Sequence, residues 1–144
     1  MSQYVNFFIR KGDDFISIAD YSRNTEMYRV MSDAPYEKVR EYSYNELQLK
    51  LTEFYTARTA NLKEISKWKE RIKMVLDMKD NSVEEKCDAI ASLNEAIDDI
   101  QQMNDAIDRQ IIELDFIAEL IYKDYRVYAG FEISNPTIQD IVES

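Results

Sequence analysis

Two long stretches of the chain repeat apolar residues at alternating steps of three and four. The first runs Tyr44, Leu47, Leu51, Phe54, Arg58, Asn61, Ile65, Trp68, Ile72 and Val75; the second runs Ile90, Leu93, Ile97, Ile100, Asn104, Ile107, Ile111, Leu114, Ala118 and Ile121. Such spacing lays each series along one seam of an α-helix, near the repeat of a coiled coil. Start signals stand where the seams need them. In Ser43-Tyr44-Asn45-Glu46 the Ser hydroxyl accepts from the N3 amide while Glu46 reaches back to the cap amide. Ser82-Val83-Glu84-Glu85 repeats the signal just after Asp80-Asn81. The pattern predicts helices over 43–79 and 82–122. A link of a few residues forces them antiparallel, as one long helical hairpin.

The seams can be aligned. When partner numbers sum to 165, every seam residue meets a seam residue of the other helix, as Val75 meets Ile90 and Phe54 meets Ile111. The same alignment sets Asn61 opposite Asn104. An unpaired amide in an apolar layer costs about 1–3 kcal/mol. Two facing amides satisfy each other and fix the register; in the competing reading both lean into solvent.

The flanks follow a different period. Residues 4–9 and 15–19 are aromatic and β-branched around the turn composition Lys11-Gly12-Asp13-Asp14, which predicts a two-stranded hairpin. Residues 27–31 read as a third strand, and 36–42 fit a helical turn or an extended lead-in equally. Residues 127–133 read as a strand returning to the N-terminal sheet, and Asn135-Pro136 opens a short helix or tail with Pro136 in the first turn. The expected fold is α+β and mainly α, with a small, mostly antiparallel sheet packed at the base of the hairpin. It reads as one domain over 1–144: a β-rich head at 1–42, the hairpin at 43–122, and the returning strand and tail at 123–144.

Composition narrows the chemistry. The 144 residues include no histidine, which removes Ser-His and Cys-His nucleophile pairs and the usual zinc ligand sets. With Gly12 and Gly130 as the only glycines, there is no phosphate-cradling loop. Cys87 alone can form no intrachain disulfide, and Glu84, Glu85 and Asp88 beside it would oppose its ionisation. The sequence carries no family signature and no calcium-loop pattern. A non-enzymatic protein without cofactor or metal is expected.

The formal charge is −10, which disfavours direct contact with nucleic acid or anionic membrane surfaces. The N-terminus lacks a signal-peptide pattern, and no apolar run approaches the ~18 residues of a membrane span. A cytoplasmic location, in a bacterium or an infected host cell, is the expectation. Charge is unevenly divided. Residues 44–79 hold eight basic and five acidic side chains, a net of +3; residues 83–122 hold two basic and eleven acidic, a net of −9. These faces admit two readings. In the plainer one they only solvate the hairpin, since exposed ion pairs contribute little. In the functional one, Asp98, Asp99, Asp105, Asp108 and Asp115 form a partner-binding face for a basic protein.

Three functions follow from these features. The first is a protein–protein interaction or assembly protein, a homo-oligomer included, that uses the hairpin as a rigid acidic arm. The alternative is a small phage-encoded inhibitor that blocks a nucleic-acid-binding defence protein by charge mimicry. The second alternative is a ligand-sequestering protein whose aromatic head holds an anion through Arg10, Arg29 or Arg126.

Overall fold

A computed structural model describes residues 3–143. In chain order the elements are β1 (Tyr4–Lys11), β2 (Asp14–Ser22), α1 (Glu26–Val30), β3 (Arg40–Tyr42), α2 (Tyr44–Asp77), α3 (Val83–Tyr122), β4 (Arg126–Phe131) and a 3₁₀ turn (Ile138–Asp140). The fold is α+β and mainly α, with α2 and α3 packed against each other and a four-stranded antiparallel sheet. The chain divides into two compact units, one of Met1–Phe54 with Arg109–Ser144, the other of Tyr55–Asp108.

Both long helices begin at their predicted caps. Ser43 Oγ accepts from the Glu46 amide at 3.2 Å, and Glu46 accepts from the Ser43 amide at 3.1 Å. Ser82 Oγ accepts from the Glu85 amide at 3.2 Å. Every seam residue is buried or half-buried, whereas Leu49, Tyr55, Leu62, Leu76 and Met103, off the seam, are exposed.

The sheet runs in the order β2-β1-β4-β3, with each neighbouring pair antiparallel. The returning strand therefore enters the middle of the sheet. The pairing sets Val5, Phe7, Ala129, Val127 and Tyr42 on one face with Tyr21, whose hydroxyl donates to Glu113 of α3. That face is the one covered by the helices. On the other face Phe8, Tyr128 and Val39 are fully buried, with Phe15, Ile133 and Ile141 packed over them. Gly130 is required here: a Cβ at this position would lie 1.9 Å from the backbone carbonyl oxygen of Lys38.

Two expectations need correction. Residues 27–31 do not form a third strand; 27–30 lie in helix α1 and Met31 is its C-cap. Thr25 caps this helix by accepting from the Tyr28 amide at 3.2 Å, and Met27, Val30 and Met31 bury the helical i, i+3, i+4 face. Five residues supply too few internal bonds, so neighbouring helices complete them. Gln110 of α3 accepts from the Met27 amide at 2.7 Å, and Lys50 of α2 donates to the Val30 carbonyl at 2.9 Å. Nor does Pro136 open the last turn. Thr137 does, its amide donating to Asp140 at 2.8 Å, with Pro136 one residue ahead of the cap. Within the ambiguous segment 36–42, residues 40–42 are strand β3.

Candidate functional site

The unit Tyr55–Asp108 is a two-helix segment built around its seam. Ile65, Ile97 and Ile100 form its core, with Trp68 and Ile72 packed on them. Asn61 and Asn104 meet as the aligned register requires: Asn61 Nδ2 donates to Asn104 Oδ1 at 2.8 Å, and Asn104 Nδ2 donates to the Arg58 carbonyl at 3.3 Å. Asn104 is buried and Asn61 half-buried. Next to this layer Arg58 donates to Asp108 at 2.7 Å. Arg58 is a seam position occupied by a cation, and Asp108 is the carboxylate it draws in.

The five candidate carboxylates therefore differ. Asp98, Asp99 and Asp105 are exposed in this unit. Asp98 and Asp105 lie two turns apart on the same row of α3, with Asp99 beside them. Asp108 is occupied by Arg58 and is only partly available. Asp115 is exposed but belongs to the other unit. Seam packing fixes the backbone that carries these side chains while leaving their heads in water, where they can contact an external cation at little desolvation cost. Among the described residues, no three or more carboxylate or thiol side chains converge to hold a metal ion. Cys87 is exposed.

The other unit contains a polar network that the sequence did not reveal. Lys50, buried on α2, donates to Asp33 Oδ1 at 2.9 Å and lies over the Tyr42 ring. The Tyr42 hydroxyl donates to the same oxygen at 2.9 Å, and Arg40 bridges Asp33 at 3.2 Å and also pairs with Glu46. Burial works against ionisation of Asp33. The hydrogen bonds from Lys50 and Tyr42, with the charges of Lys50 and Arg40, outweigh it and hold the carboxyl below the usual range. Burial likewise pushes the Tyr42 and Tyr21 phenols well above theirs, and the Glu113 carboxylate adds to the shift at Tyr21.

The three arginines considered for anion capture all have protein acceptors. Arg126 binds both oxygens of Glu41, at 2.6 and 3.1 Å, and this pairing lowers the Glu41 pKa. Arg29 pairs with Glu26. Arg10 donates to the Gly12 carbonyl at 2.7 Å and to the Tyr128 hydroxyl at 3.1 Å. Arg10 and Arg126 share an open cavity of about 510 Å³ with Glu41 and Glu143. Arg29 lines a different one, of about 680 Å³, with Arg23, Glu26 and Tyr28. Neither cavity is a purely cationic cradle. No helix among the described residues is long and apolar enough to cross a membrane.

A third concavity, of about 330 Å³, lies between β2 and α3 and is almost entirely apolar, with Ile18, Ala19, Ile112, Phe116 and Ile117 among its walls. In sequence, Ile111, Ile112, Leu114, Phe116 and Ile117 put apolar side chains on several faces of α3 near its end, more than one seam can cover. The structure buries Leu114, Ile117 and Ala118 but leaves Ile112 70% and Phe116 61% exposed. The chain matches no protein-family model, no curated protein and no solved structure.

Proposed function

We propose that this protein is a non-enzymatic interaction or assembly protein that works in a cytoplasmic setting and presents the carboxylate face of its helical pair to a basic protein surface. One observation carries the reading: seam packing buries Ile97, Ile100 and Asn104 of α3 and leaves Asp98, Asp99 and Asp105 exposed on the same packed helix. Carboxylates on such a support attract a cationic partner and orient it, and the attraction weakens with salt.

The test is quantitative capture from cells of the source organism, by wild type and by the triple variant Asp98→Lys, Asp99→Lys, Asp105→Lys. A specific partner should be retained at low salt, released at high salt and lost by the variant. Equal capture by the variant would overturn the reading. If the partner binds nucleic acid, and nucleic acid competes for the same surface, the function is the narrower one of charge mimicry.

A further inference from the structure

We propose that the outer edge of β2, with the apolar groove beside it, receives an extended segment of a partner protein in which apolar and basic side chains alternate. This surface is distinct from the carboxylate face of the helical pair, so either can fail without the other.

β2 is nine residues long and stands at the end of the sheet. Among the described residues it pairs with β1 alone, so the backbone groups on its other side have no strand partner. Such an edge is a template for a further strand. Proline and lysine, the common guards of an edge, are both absent from Asp14–Ser22. The strand instead carries a bulge. Phe7 pairs with Ala19 and Phe8 with Ser17, leaving Ile18 as the extra residue. A bulge re-aims a side chain, and here the consecutive residues Ile18 and Ala19 both line the groove. Ile112 and Phe116 of α3 form the opposite wall, so an added strand would bury two large exposed apolar side chains as it paired.

Charge selects the occupant. β2 carries exposed Asp14 and Asp20, and Glu113 of α3 stands exposed on the groove wall, with Arg109 the one basic side chain on residues 109–122 of α3. A segment with basic side chains meets that rim favourably. A second copy would bring the same acidic strand and the same net charge of −10 against it.

The probe is a terminally blocked nonapeptide of alternating valine and lysine, with a valine–glutamate peptide as control. Hydrogen exchange followed by mass spectrometry should show residues 14–21 slowed about tenfold or more by the lysine peptide. Phe116→Ser, at an exposed position, should weaken binding about tenfold, as loss of an apolar anchor does. Ile112→Ser serves as a second, milder variant. Asp20→Lys, or about 1 M salt, where the screening length is about 3 Å, should weaken binding as well. Equal protection by the glutamate peptide, or none by either peptide, overturns the proposal. So does concentration-dependent protection without peptide accompanied by a dimer mass in light scattering, which would place a second copy on the edge.

Discussion

Replacing the amides of the Asn61–Asn104 layer by leucine tests the register of the helical pair directly. Asn61→Leu leaves Asn104 Oδ1 without its 2.8 Å donor at a site only 7% exposed, so about 2 kcal/mol should be lost. Asn104→Leu strands the Asn61 amide instead. That amide is half-buried and recovers part of its hydration, so the loss should be nearer 1 kcal/mol. The double variant leaves no side-chain amide unpaired, gives up only the 3.3 Å bond from Asn104 to the Arg58 carbonyl, and extends the apolar seam between Ile65 and Ile107. It should be at least as stable as wild type, which corresponds to a coupling of about 3 kcal/mol or more between the sites. Urea unfolding of all four proteins, followed by circular dichroism at unchanged m-value, measures the cycle. Additivity within about 0.5 kcal/mol, or a double variant weaker than both singles, would show that the amides do not act as a pair.

The remaining predictions concern the sheet and its polar network. Gly130→Ala should cost about 3 kcal/mol or more, because its methyl would meet the Lys38 carbonyl, whose backbone is held by Val39 donating to Asp140 at 2.9 Å. Gly12→Ala has open space and pays only the strain of φ +60°, about 1 kcal/mol; equal urea midpoints for the two variants would refute the contact argument. The lowered pKa values of Asp33 and Glu41 contribute stability that is present above their ordinary values of 3.8 and 4.5 and is lost as pH falls through the lower folded values. Asp33→Asn should therefore flatten the acid limb of a stability–pH curve measured by urea midpoint. An unchanged limb would remove Asp33 from the explanation.

The helical hairpin was legible because its signal is periodic over many turns. Twenty seam positions and two capping boxes agree on one answer, and the opposed asparagines fix the offset. Helix α1 was illegible for the opposite reason. Met27-Tyr28-Arg29-Val30-Met31 has strand-like propensity, five residues show no period, and the bonds that complete the helix come from Gln110 and Lys50, far away in sequence. The Thr25 cap with Glu26 in the first turn was the one local clue. The network around Asp33 was hidden likewise, since nothing in a row of scattered charges says that Lys50 will be buried beside a loop aspartate. The surplus apolar residues at the end of α3 were visible. The bulge that turns Ile18 toward them was not, because it depends on the pairing of β2 with β1.

The insertion of β4 between β1 and β3 has a kinetic consequence. Asn6 donates to the Ile133 carbonyl, 127 positions along the chain, at 2.9 Å. The sheet cannot close until both long helices have been made, whereas those helices need only local contacts and can pair first. During synthesis the β1–β2 hairpin therefore waits with both of its edges open. Contacts of such long range make sheet closure the slow step of folding, and the interval before it is when this chain is most exposed to aggregation.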